Sequence, residues 1–146
     1  MNQNDGARRL AVLGVALLLA GMATRLFTGL MPNPRLGLSA HLAGAMGGIM
    51  LIALAGIWPR VTLGPRGQAW AFGLLAFGNV ANWATVLVAA SWGAGATSMP
   101  LAGKGMAGAP WQENLIAAAL LALSMAVLAG LALVLRGLLA RSDKAS

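Results

Sequence analysis

Apolar residues run along this chain in four long blocks, separated by short segments where proline, glycine and charge collect. The blocks cover roughly residues 10–30, 36–58, 68–92 and 111–135, and each is long enough to cross ~30 Å of hydrocarbon at ~1.5 Å per residue. Ala, Leu and Met dominate them, without the alternation of apolar and polar side chains that a lipid-facing barrel strand needs. The pattern predicts helix four times. The expected fold is all-α: a bundle of four transmembrane helices forming a single membrane domain over residues 1–146. The breaks agree, with Pro32 and Pro34 in the first link, Pro59 and Pro65 in the second, and Pro100 and Pro110 in or beside a glycine-rich third from Gly93 to Ala109. Pro110 suits the first turn of a helix, and Glu113 lies near the positive end of that helix's dipole.

Composition makes the membrane assignment firm. With 59% hydrophobic and 9% charged residues, a chain of this size cannot hide its apolar surface in one water-soluble core. Arg8, Arg9, Arg60, Arg66, Arg136, Arg141 and Lys144 fall at the termini and the middle link, against Arg25, Arg35 and Lys104 at the opposite ends of the spans. The positive-inside rule therefore predicts that both termini are cytoplasmic, and a bacterial inner membrane is the expected location. The net charge of +7 is spread over helix ends rather than gathered in a patch. It is explained by topology and anionic headgroups, and no nucleic-acid partner is expected. Arg8-Arg9 followed by an apolar run has the look of a secretory signal, but the run continues past Arg25 to Met31 and makes a full span, so retention is expected. The polar ends, Met1 to Ala7 and Ser142 to Ser146, are expected to be mobile.

The absence of cysteine excludes disulfides, thiolate nucleophiles, iron–sulfur ligation and covalent c-type haem attachment, and the absence of tyrosine removes a phenolic acid. There is one histidine, His41, inside an apolar segment. An imidazole in that setting needs a partner, a ligand or a metal. Topology puts it near the outer end of helix two, at a depth similar to Asn79 and Asn82 on helix three, Glu113 at the start of helix four and Arg25 on helix one. These five groups, with Trp83 beside them, are expected to converge on one outer-leaflet cavity. Each also has a plainer role: Arg25 can snorkel to headgroups, Glu113 can favour its helix start, and Asn79 and Asn82, at i and i+3, can bond between helices. Trp58, Trp70, Trp92 and Trp111 stand at helix ends and read as interface anchors.

Gly44, Ala45 and Gly48 share the face of His41, flanked by Ala40 and Gly47. Such a strip admits either a flat cofactor or, through its small-xxx-small spacing, a closely packed helix. Zinc asks for three or four protein ligands, whereas haem asks for one axial imidazole, so a lone membrane histidine suits haem better. A Ser/His/Asp set, a Gly-Lys-Ser/Thr phosphate loop and a second carboxylate to pair with Glu113 are all missing.

The run Asn33-Pro34-Arg35-Leu36-Gly37-Leu38-Ser39-Ala40-His41-Leu42-Ala43-Gly44, then Trp58-Pro59-Arg60, Phe77-Gly78-Asn79-Val80-Ala81-Asn82-Trp83, Met99-Pro100-Leu101-Ala102 and Trp111-Gln112-Glu113, resembles the hydroxylaminobenzene mutases. These are small four-helix membrane isomerases distantly related to the styrene oxide isomerases. The resemblance implies haem b held by His41 as axial ligand between neighbouring subunits of a homo-trimer, with iron acting as a Lewis acid on a hydrophobic aromatic substrate. It implies that Asn82 orients substrate; Asn79 and Glu113 join it as candidate catalytic residues, and Gly44, Ala45 and Gly48 as candidate cofactor contacts. The implied reaction turns an arylhydroxylamine into an aminophenol without net redox change. The chain departs from the pattern at Ala43, where mutases usually carry glutamate, at Gly47, where they carry asparagine, and at Phe77, where tyrosine is common. Val86 stands where the epoxide isomerases have tyrosine. Three readings stay open: a haem-dependent isomerase of the mutase or epoxide type, a non-catalytic haem-binding membrane protein, and a structural bundle in which Asn79, Asn82 or a backbone carbonyl satisfies His41.

Overall fold

The computed structural model describes residues 3–142. Helices α1 (Gln3–Phe27), α2 (Pro34–Ile57), α3 (Pro65–Trp92), the single turn α4 (Pro100–Gly103) and α5 (Pro110–Ser142) make up the described chain, which contains no strand. The four long helices are each long and apolar enough to span a bilayer, and the protein is an integral membrane protein. Proline opens α2, α3, α4 and α5, at the position where a missing N–H forfeits no helical hydrogen bond. Gly93 ends α3 in the left-handed region, φ 67°, with its N–H on the Ala89 carbonyl.

The helices overrun the apolar blocks at both ends of the chain. Gln3 to Ala7, expected as part of a mobile tail, is the first turn and more of α1, with Asp5 at the positive end of the dipole. At the other end α5 continues past Leu135 to Ser142, the helix-forming Arg, Leu and Ala residues outweighing Gly137. Met1, Asn2 and residues 143–146, also expected to be mobile, lie outside the described residues.

Helix α1 packs on α2, α2 on α3 and α3 on α5, while neither α1 nor α2 reaches α5. The result is an open arrangement with a groove between α2 and α5, floored by α3. The closest packing joins α1 to α2. A Cβ placed on Gly48 would stand 2.6 Å from the Gly14 carbonyl oxygen and 2.6 Å from the Leu18 amide nitrogen; one placed on Gly44 would stand 2.7 Å from Gly21 Cα. Small residues let these backbones touch, which is how helices gain dispersion contact in a solvent as apolar as themselves. One core cluster, around Leu10, Leu51, Trp58, Leu75 and Val134, fills the end that carries the chain termini. A second, of Leu36, Ala89, Ala90 and Ile116, fills the other.

Trp58 corrects an expectation. It is 1% exposed and part of the core, because the 3₁₀ turn Trp58–Arg60 folds against α1, whereas Trp70 and Trp111 are exposed as interface anchors are. We expect Gly48→Ala to push α1 and α2 apart and to destabilise the protein by about 1–3 kcal/mol, the usual range for overpacking. A lowered thermal midpoint in detergent, against an unchanged one for Gly73→Ala, where a Cβ meets nothing within 4 Å, checks this.

Candidate functional site

His41 is satisfied by a backbone carbonyl. Its Nδ1 lies 2.8 Å from the carbonyl oxygen of Gly21 on α1. A carbonyl oxygen only accepts, so Nδ1 carries the hydrogen and Nε2 keeps its lone pair. No hydrogen bond to Nε2 forms among the described residues, and the ring is half-buried. The glycines explain how the bond arises: Gly21 and Gly44 bring the two backbones close enough for the ring to reach across. The strip that admitted a cofactor or a helix is taken by a helix. Gly44, Ala45 and Gly48 lie against Gly21, Gly14 and Leu18 of α1, with the Trp83 ring also on Gly44.

Asn79 and Asn82 face elsewhere. They line a cavity of about 580 Å³ in the groove, together with Ala43, Met46, Gly47 and Met50 of α2 and Leu123, Ser124, Val127 and Leu128 of α5. That volume matches a small-molecule site. Asn79 is 5% exposed and its Nδ2 donates to the Leu75 carbonyl at 2.8 Å. Asn82 is half-buried, and its carboxamide has no hydrogen-bond partner among the described residues. At about 100° per residue, Ala43, Met46, Gly47 and Met50 lie roughly 140–240° round α2 from His41. Within one chain, the imidazole and the groove therefore occupy opposite faces of the same helix.

The remaining groups do not converge on that groove. Arg25 is exposed and donates to Thr28 Oγ1 at 3.0 Å. Trp83 donates from Nε1 to Thr24 Oγ1 at 3.0 Å, tying α3 to α1. Glu113, expected beside the asparagines, turns to the 93–109 loop. Its Oε1 accepts the N–H groups of Gly95 (2.7 Å), Gly108 (3.0 Å) and Ala96 (3.3 Å), and its Oε2 that of Thr97 (3.1 Å). Asn33 secures the other side of the loop: its Oδ1 caps α2 by accepting from Arg35 and Leu36, and its Nδ2 donates to the Gly103 carbonyl at 3.1 Å. Asn33-Pro34 is a helix-start signal that marks Asn33 in the sequence. Gly21 and Ser124 carry no comparable mark.

Charge-assisted bonds to four amides make Glu113 the staple of this loop. In Glu113→Ala we expect hydrogen exchange at Gly95, Ala96, Thr97 and Gly108 to accelerate at least about tenfold, with the α1–α2 amides unchanged. Exchange read by mass spectrometry in detergent checks it, and uniform acceleration along the chain would contradict a local role.

The comparisons with known proteins agree with this architecture. The sequence profile of styrene oxide isomerase matches residues 6–139. Hydroxylaminobenzene mutase HabB of Ectopseudomonas oleovorans is 47% identical over 132 residues, 90% of this chain and 80% of that protein. Hydroxylaminobenzene mutase HabA of the same organism is 36% identical over 126 residues, 86% of this chain and 93% of its own length. No solved structure matches. With the profile spanning nearly all of the four-helix unit, the chain belongs to the styrene oxide isomerase family of membrane isomerases.

Proposed function

We infer that the protein is a haem-dependent isomerase of the hydroxylaminobenzene mutase type, converting an arylhydroxylamine into an aminophenol. The observation that carries the reading is the free Nε2 of His41, left with a lone pair because Nδ1–H is committed to the Gly21 carbonyl. A histidine whose second nitrogen bonds a carbonyl is held in orientation for a metal, so the residues present fit haem b, which His41 would hold through Nε2. When bound, haem would supply a Lewis acid for the substrate oxygen. In the reaction the N–O bond breaks, a ring C–O bond forms, and the hydrogen lost from the ring is matched by one gained on nitrogen, so no external oxidant or reductant is consumed.

The groove supplies the other half of the site. Met46, Met50 and Leu123 offer apolar surface for an aromatic ring, and the unpartnered carboxamide of Asn82 is free to orient its polar end. Gly47 leaves room that the Asn79 side chain uses: a Cβ at residue 47 would stand 3.0 Å from Asn79 Oδ1. The Asn79 carboxamide of α3 thus lies against the space that a side chain at residue 47 would enter. The opposite placement of His41 and the groove on α2 supports a homo-oligomer, a trimer by the resemblance, in which His41 of one copy faces the groove of the next. The distribution of arginines supports cytoplasmic termini in a bacterial inner membrane.

Protein purified in detergent after expression with haem available should show a Soret band that His41→Ala abolishes. A colourless wild type, or a band untouched by the substitution, would contradict the ligand assignment. Anaerobic incubation with phenylhydroxylamine should give aminophenol without added reductant, and faster than any change in an aryl epoxide. Asn82→Ala should lower that turnover roughly tenfold or more while haem content holds; equal loss of both would make Asn82 a structural residue.

A further inference from the structure

We propose that Asn79 and Ser124 form a fixed pair of hydrogen-bond acceptors in the α2–α3–α5 groove and that this pair selects aromatic ligands bearing an N–H or O–H donor. The proposal rests on reading the groove as the substrate site and adds which residues set its choice of ligand.

The Leu75 carbonyl can only accept, so the atom of the Asn79 amide that meets it at 2.8 Å is Nδ2, and Oδ1 must point the other way. That way lies the groove, beside Gly47, where a Cβ would crowd it at 3.0 Å. Asn79 Oδ1 has no partner among the described residues, although the residue is 95% buried by its 5% exposure. On the facing wall, Ser124 has one O–H hydrogen, and it is donated to the Leu120 carbonyl at 2.7 Å. What Ser124 Oγ offers the groove is lone pairs. Asn79 Oδ1 and Ser124 Oγ thus present open acceptors from two helices, among apolar neighbours such as Met46, Met50 and Val127. Asn82 alone is free to turn and to give or take.

A ligand that only accepts, such as an ether, an epoxide or a carbonyl compound, can meet Asn82 but leaves Asn79 Oδ1 unpaired. A ligand with a donor pairs it. Sites built to bond a donor reject the analogue lacking it far more strongly than apolar pockets reject a change of one methylene. Gly47 belongs to the same device, because a larger side chain there would displace the Asn79 oxygen.

The test is equilibrium binding of 4-fluorophenol and 4-fluoroanisole, which differ by one donor, followed by fluorine NMR with the protein in one detergent. Partition into the micelle is the same for every variant and cancels in the comparison. Wild type should favour the phenol over the anisole roughly tenfold more than Asn79→Leu does. Ser124→Ala, at an exposed position, should reduce the preference part of the way and keep the fold. If Asn79→Leu does not fold, Ser124→Ala decides: an unchanged preference overturns the proposal, as does equal preference in wild type and Asn79→Leu. Neither probe is turned over, so absence of haem or of mutase activity would leave this result standing, and loss of the preference would leave the isomerase reading standing.

Discussion

The hydrogen bond from His41 to the Gly21 carbonyl depends on contact between two backbones, and much of the structure follows from that contact. In hydrocarbon there is no hydrophobic drive to bring α1 and α2 together, so close approach must come from the absence of side chains at Gly14, Gly21, Gly44 and Gly48. The approach puts a carbonyl of α1 within reach of the ring on α2. The imidazole is thereby paid for in a place where an unpaired polar group is expensive, and its tautomer is set at the same time. Packing, polar satisfaction and readiness for a ligand are one arrangement here.

The other polar groups divide into those that hold the bundle and those that remain available. Glu113 and Asn33 hold the loop between α3 and α5, each from a different side. Trp83 and Thr24 tie α3 to α1. Asn82 remains unpartnered in the groove, and Asn79 is partly committed, with one N–H used and its acceptor open. Because α1 and α2 stop short of α5, that groove is open on the side away from His41. On the proposed function, a site that uses both draws on two copies.

The four spans and most of their starts were readable from the chain, since block length and Pro34, Pro65 and Pro110 carry that information locally. His41 stood out as an anomaly for the same reason: burial of an imidazole is costly whatever surrounds it. Its partner could not be named, because a glycine carbonyl leaves no trace in a side-chain pattern. Depth along a helix can be counted from sequence, and it groups Arg25, His41, Asn79, Asn82 and Glu113. Rotation about the helix axis relative to neighbours cannot be counted, and it separates His41 from the asparagines and turns Glu113 to its loop. Trp58 failed for a related reason, since a helix-end tryptophan looks alike whether the next turn folds inward or outward. The family resemblance carries what the residues alone leave open, the class of reaction.

On the proposed function, the imidazole of one copy works with the groove of another. Co-expression of His41→Ala with Asn82→Ala tests it directly, because each variant chain then carries the half that the other lacks. If sites form between copies, random mixing leaves about a quarter of them with both halves intact. Phenylhydroxylamine turnover in the purified mixture should recover to that order of the wild-type rate, well above either variant alone. A mixture no more active than its components, with mixed oligomers shown to form, would contradict it.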